Sequence, residues 1–124
     1  MLENIISKED KNMEPVKFKL KNDKYRRARG GKACQMDLCC VKCSYIILKY
    51  QKDGDGTLMR CYLNRILYPP ELERLQYNLN IRSPKDMPNL TCKSCNTVIG
   101  TPMLHHGGRL AFKLRKGFYF KRRS

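Results

Sequence analysis

Two cysteine pairs of identical spacing constrain this chain more than any other feature in it. Cys40-x-x-Cys43 lies inside Leu38-Cys-Cys-Val-Lys-Cys43, and Cys92-x-x-Cys95 lies inside Thr91-Cys-Lys-Ser-Cys95. A C-x-x-C segment is a tight turn that aims both thiolates at one point while its own N–H groups face the sulfurs. Two such turns supply four soft ligands, which complete a tetrahedral structural zinc site. Forty-eight residues lie between Cys43 and Cys92. One ion would therefore cross-link distant parts of the chain, and its binding would be coupled to folding. Four thiolates leave no open coordination position, so such an ion holds structure and does not activate water. The expected cofactor is one structural Zn2+ on Cys40, Cys43, Cys92 and Cys95.

The first cluster is crowded. Cys39 paired with Cys43 gives a three-residue spacing, which zinc also accepts, so Cys39 is the alternate to Cys40. With Cys40 in the site, Cys39 faces the core or backs the site. Cys34 reads as a small buried or loop thiol, and Cys61 as a core thiol on an apolar strand face. His105-His106 sits in a glycine-bounded turn and reads as polar loop, because four thiolates already complete the site. Asp53-Gly-Asp-Gly56 lacks the third early ligand and the distal glutamate of a calcium loop, so calcium is excluded.

A chain of 124 residues fits one domain with a modest core, and a metal staple matters to its stability. With 41% hydrophobic and 30% charged residues it reads as globular. No apolar run approaches the ~20 residues that cross a bilayer, so no membrane is expected. The N-terminal stretch, MLENIISKEDKNMEPVK, has early acids and no apolar h-region. It does not read as a secretory signal, and the expected compartment is the cytoplasm, where thiols stay reduced. Residues 1–14 read as a flexible mixed-charge leader, with Met13 a second candidate start, and 15–124 as a single zinc-binding β domain.

The rest of the chain reads as mostly β, a small α+β fold of antiparallel sheets. Val16, Phe18 and Leu20 alternate with Lys17, Lys19 and Lys21, which is strand periodicity. RRARGGK then reads as a flexible basic loop. Asp53-Gly-Asp-Gly56 between two β-rich runs predicts a hairpin, with Met59, Cys61, Leu63 and Leu67 on one face of its second strand. Pro70, Glu71, Glu73 and the spacing of Leu72, Leu75 and Leu79 predict one short helix near 70–79. Leu110, Phe112 and Leu114 alternate with basic residues as a half-buried strand, and Phe118 to Phe120 predict the last strand.

Two C-x-x-C knuckles about fifty residues apart, each beside β-hairpins, resemble the β-tent zinc proteins. These include Yippee, the Mis18 proteins, the thalidomide-binding domain of cereblon and methionine sulfoxide reductase B. The stretch CKSCNTVIGTPMLHHGGRLAFKLRKG is most similar to them, and YQKDGDGTLMRCYLNRI resembles a motif of small bacterial proteins. The resemblance covers roughly 34–120 and implies a zinc-stapled pair of small antiparallel sheets. It does not imply one function. The cereblon-like pocket is built from tryptophans, and this chain has none. The reductase uses a cysteine in its C-terminal part, and no cysteine follows Cys95.

The formal net charge is +15, or about +13 with four thiolates and one zinc. Such a field attracts polyanions. Its bases cluster at two places: Lys24, Arg26, Arg27, Arg29 and Lys32 in one, and Arg115, Lys116, Lys121, Arg122 and Arg123 in the other. Tyr25, Phe118, Tyr119 and Phe120 lie among them, and aromatics interleaved with bases can stack nucleobases. The first functional expectation is a binding module for RNA or another polyanion. A second is a protein-interaction adaptor that uses a groove or sheet edge. A third, a thiol or zinc-dependent enzyme, has no nucleophile motif or carboxylate–histidine pair behind it.

Overall fold

The computed structural model describes residues 17–123. The expected leader, and Val16, lie outside them. Two four-stranded antiparallel sheets share one apolar interior. The first sheet has the order β4-β2-β1-β8, from β1 (Ala33–Cys40), β2 (Ile46–Asp53), β4 (Ile66–Tyr68) and β8 (Tyr119–Arg123). The second has the order β3-β7-β6-β5, from β3 (Arg60–Tyr62), β5 (Leu90–Thr91), β6 (Val98–His105) and β7 (Arg109–Leu114). Period-2 alternation sends Leu38, Cys40, Leu48 and Tyr50 of one sheet against Cys61, Ile99, Phe112 and Leu114 of the other. Each fully buried aliphatic or aromatic side chain there contributes about 1.5–3 kcal/mol. The mostly β, small α+β expectation holds.

The helix expected near 70–79 forms as α2 (Pro70–Glu73), with Pro70 in its first turn, and tightens into a 3-10 turn over Arg74–Tyr77. Leu72 and Leu75 pack on the core, while Leu79 stands exposed beyond the last turn. The strand of β7 lies where the alternation of Leu110, Phe112 and Leu114 places it. The final strand begins one residue later than expected. Phe118 packs on the core before it, and β8 runs on to Arg123.

Four expectations are corrected. The Asp53–Gly56 turn does not close a hairpin. β2 pairs with β1 and β4, whereas β3 pairs with β7, so residues 54–59 cross from one sheet to the other. The strand expected after the turn is also broken. A 3-10 turn at Leu63–Arg65 sends 60–62 to the second sheet and 66–68 to the first. Met59, in the crossing segment before β3, is exposed, although Cys61 and Leu63 are buried.

Residues 17–20 lie in no ladder. Their pairing partners are side chains: Gln35 Oε1 accepts from Phe18 N–H, and Gln51 Oε1 accepts from Lys21 N–H. The basic loop contains a helical turn, α1 (Lys24–Ala28), because Asp23 caps it by accepting from Arg26 N–H. Gly30 and Gly31 end that turn with positive φ.

Candidate metal centre

Each cysteine pair forms the turn of a strand pair. Cys40 ends β1 and its turn leads into β2, and Cys92 follows β5 and its turn leads into β6. The two turns are built alike. Cys40 N–H donates to the Tyr45 carbonyl, and Ser44 N–H to the Cys40 carbonyl. Cys92 N–H donates to the Thr97 carbonyl, and Asn96 N–H to the Cys92 carbonyl. Ser44 and Asn96 both take left-handed φ, at 66° and 62°. The N–H groups of Lys42 and Cys43 face the Cys40 sulfur, and those of Ser94 and Cys95 face the Cys92 sulfur.

The four sulfurs of Cys40, Cys43, Cys92 and Cys95 all lie within 4.8 Å of one another. Cys40 Sγ is 3.6 Å from Cys95 Sγ, and Cys43 Sγ is 3.5 Å from Cys92 Sγ. Sulfurs about 2.3 Å from a tetrahedral ion stand about 3.8 Å apart. The cluster thus fits a metal ion with little adjustment. Burial raises the Cys40 thiol and pushes Cys92 up to about 12. Hydrogen bonding from Thr97 brings exposed Cys95 down to about 6. The two buried thiols need a cation beside them to ionise at neutral pH, which a bound metal supplies.

The alternate ligand is not in the cluster. Cys39 faces the other side of β1, fully buried, opposite Ile46 and Phe120. Burial raises its thiol, and Asp37, Lys49 and Arg122 are its charged neighbours. Cys61 is a core thiol, raised by burial. Cys34 is half-buried on β1, in a cleft it shares with Arg26, Lys32 and Arg123. His105 ends β6, where Nδ1 meets Tyr62 Oη at 3.1 Å, and His106 stacks edge-on against it. Neither histidine joins the cysteine cluster.

The ten expected polyanion residues divide between two places. Arg26 and Lys32 line the same cleft as Arg123, because β8 runs antiparallel to β1 and brings its end to the start of that strand. Lys24, Arg27 and Arg29 belong to the same segment as Arg26, and Lys121 is exposed on β8. Arg115 and Lys116 stand apart, in the turn before β8 whose Phe118 carbonyl accepts from Val41 N–H beside the first knuckle. Some of these bases have structural partners. Arg122 pairs with Asp37, Arg29 donates to the Asp55 carbonyl, and Arg115 donates to the Val98 carbonyl and covers the Phe118 ring.

Two arginines that sequence reasoning did not single out organise the other end of the molecule. Arg65 is 1% exposed and donates to both Asp23 and Asp53. Burial pulls its pKa down, but these carboxylates more than offset that and raise it. Arg109 opens β7, and its guanidinium lies 3.8 Å above the Tyr25 ring and 3.7 Å from the Tyr62 ring. Burial lowers its pKa. Its η2 nitrogen donates to Asn64 Oδ1, while its buried Nε has no partner. The strand pattern placed Arg109 among solvent-facing bases. No period in the sequence marks the two rings that cover it.

No known family model, curated protein or solved structure matches the chain. Among the described residues, no helix is long and apolar enough to cross a membrane.

Proposed function

We propose that this chain is a zinc-stapled binding module that engages RNA through the basic end of its first sheet. Zinc is the ion favoured by four thiolates at tetrahedral spacing, and its role is structural. The β-tent kinship remains part of this reading. It is supported by two alike knuckles, each joining antiparallel strands, with a shared core between the sheets.

One observation carries the RNA reading: Arg26 and Lys32 meet Arg123 in one cleft although the chain separates them by most of its length. Exposed Lys121, two residues before Arg123 on β8, extends this end. Bases that converge from distant parts of the chain suit a single strand, whose phosphates need such partners. The adaptor reading has less support. β8 offers an open sheet edge, but Lys121, Arg122 and Arg123 charge it, which discourages strand addition.

Salt-titrated binding of a single-stranded oligoribonucleotide tests the proposal. Each phosphate neutralised adds about 0.7 to the slope of log K against log salt. The triple variant Arg26→Gln, Lys32→Gln, Arg123→Gln should lower that slope by about 2. An unchanged slope, or no binding at low salt, would remove the RNA reading while leaving the zinc reading intact.

A further inference from the structure

A cavity of about 100 Å3 opens where the chain crosses between the two sheets. Its lining includes five cationic side chains, Arg29, Lys52, Arg60, Arg65 and Arg109, and one carboxylate, Asp53. That carboxylate is already committed. It accepts from Arg65 Nε at 2.7 Å and from Gln51 Nε2 at 2.9 Å. The arginine that completes Asp53 is itself held on its far side by Asp23. Arg109 has no such partner. No carboxylate pairs with it among the described residues, and its buried Nε donates to nothing.

Two features make this more than a patch of surface charge. The Arg109 guanidinium is clamped between the Tyr25 and Tyr62 rings, which fixes its plane and leaves its edge to donate. Tyr50, 3% exposed, also lines the cavity. Its hydroxyl accepts from Tyr62 N–H at 2.8 Å, and its own proton has no acceptor among the described residues. The Nε of a fixed guanidinium, whose η2 nitrogen already donates to Asn64, and an unspent buried hydroxyl are thus donors without an acceptor, in a cavity rich in positive charge. Leaving buried donors unmet costs about 1–3 kcal/mol each. An oxyanion would satisfy both.

We infer that this cavity is a binding site for a phosphoryl group, with Arg109 and Tyr50 as its principal donors. The size sets the class. A cavity of about 150 Å3 just holds benzene, so this one admits a phosphate and a water or two but no nucleobase. The charge sets the choice among oxyanions. With Arg65 balanced by Asp53 and Asp23, the four remaining cations Arg29, Lys52, Arg60 and Arg109 still favour a dianion over a single carboxylate, and a planar fork suits two phosphate oxygens at once. The phosphoryl group has two sources with the same chemistry: free phosphate, or a phosphomonoester at the end of a larger ligand. This site shares no lining residue with the neighbouring cleft of Arg26, Lys32 and Arg123, which it meets across Arg29 and Gly54, and it does not depend on the RNA reading.

Calorimetric titration of the full, metal-loaded chain with inorganic phosphate, at ionic strength held constant with chloride, tests it. Wild type should bind saturably at one site. Arg109→Gln should weaken binding at least tenfold, and Arg109→Lys nearly as much, because lysine keeps the charge and loses the clamped fork. Tyr50→Phe should weaken it severalfold while keeping the core filled. Arg82→Gln, on an exposed loop, should change nothing. Thermal melts of each variant separate lost binding from lost fold, and Tyr50→Phe carries the test if the Arg109 variants do not fold. A second titration compares a hexauridylate with and without a 5′-phosphate. Tighter binding of the phosphorylated strand, abolished by Tyr50→Phe, assigns the site to a chain end. Equal binding of both strands, with inorganic phosphate still saturable, assigns it to free phosphate. Unsaturable phosphate binding in wild type, or equal binding in wild type, Arg109→Gln and Tyr50→Phe, would overturn the site.

Discussion

The terminal nitrogens of the Arg65 guanidinium hold the two carboxylate oxygens of Asp23, 42 positions away in the chain. The same arginine reaches Asp53 with its Nε. One buried cation therefore ties α1 and the end of β2 to the kink that separates β3 from β4. A chain that must switch sheets at Leu63–Arg65 needs something to hold the switch, and this ion triad does so.

Removing the arginine leaves two carboxylates facing each other with one of them poorly solvated. Arg65→Gln should cost about 3–5 kcal/mol, the range for breaking a buried pair from one side. Asp23→Asn should cost less, because Arg65 retains Asp53. The pH dependence follows from the sign of the Asp23 shift. Its hydrogen bond to Arg65 holds its carboxyl well below the ordinary carboxylate range. A depressed folded pKa stabilises fully above the unfolded value, near 3.9, and that stabilisation is lost as pH falls below it. Asp23→Asn should therefore flatten the acid limb of a stability–pH curve below about pH 4 and lower the neutral-to-alkaline limb by a constant amount without changing its slope. Urea melts from pH 2 to 8 would show this. Parallel acid limbs for the two proteins would mean that the pair does not form in solution.

The metal centre makes a sharper division among cysteines. Structural zinc binds zinc-finger peptides with about 10–16 kcal/mol, as much as or more than the ~5–15 kcal/mol that holds an ordinary domain together. Cys43→Ser and Cys92→Ser should each lose the ion and the cooperative thermal transition. Cys34→Ser and Cys39→Ser should keep one ion per chain, since both thiols lie outside the cluster. Native and denatured mass spectrometry of these four variants and of Cys40→Ser reads the stoichiometry directly. Ion loss in Cys39→Ser, with retention in Cys40→Ser, would reassign the ligand to the three-residue spacing.

The four-cysteine cluster was legible because its signal is local. A C-x-x-C turn dictates its own geometry, and two turns of equal spacing have one economical way to meet. The helix at 70–77 was legible for the same reason, since Pro70 and the early glutamates act within a single turn. The misread parts are settled by partners far away. The Asp53–Gly56 turn has the residues of a hairpin, yet β7 takes β3 and β1 takes the other side of β2. Residues 17–20 alternate like a strand, yet Gln35 and Gln51 bond their backbone with side chains, a pairing that no periodicity encodes. Arg109 reads as one more base until Tyr25 and Tyr62 close on it.

The crossing loop depends on one glycine more than on its neighbours. Gly54 has φ +73°, and a Cβ there would lie 2.9 Å from both the Cβ and the carbonyl oxygen of Arg29. Left-handed backbone costs a non-glycine residue about 1–2 kcal/mol, and a clash with backbone adds to it. Gly107, at φ +78°, has open space around its missing Cβ. Gly54→Ala should therefore destabilise by about 2–4 kcal/mol and Gly107→Ala by only about 1–2 kcal/mol. Chemical denaturation of the two variants side by side measures the gap. Equal losses would mean that Arg29 yields freely and does not brace the loop.

A second buried pair tests whether charge inside this small fold is a source of stability or a burden on it. Lys49 Nζ lies 2.9 Å from Asp37 Oδ1, with side chains 3% and 5% exposed, on the face of the first sheet away from the shared core. Arg122 of β8 reaches the second oxygen of Asp37 at 3.2 Å, so the carboxylate bridges β2 and β8 through β1. Desolvating both ions offsets much of their attraction, and an apolar replacement of the whole pair is often neutral or favourable. Withdrawing one ion alone is costly, because the other keeps its desolvation penalty without its full partner. Lys49→Met should accordingly destabilise by about 3 kcal/mol, although Arg122 softens the loss. Asp37→Leu combined with Lys49→Met should recover most of it, giving a favourable coupling of about 1–3 kcal/mol in a double-mutant cycle. Strict additivity of the two single losses would show that the pair is not coupled, and that β1 and β2 are held there by their ladder alone.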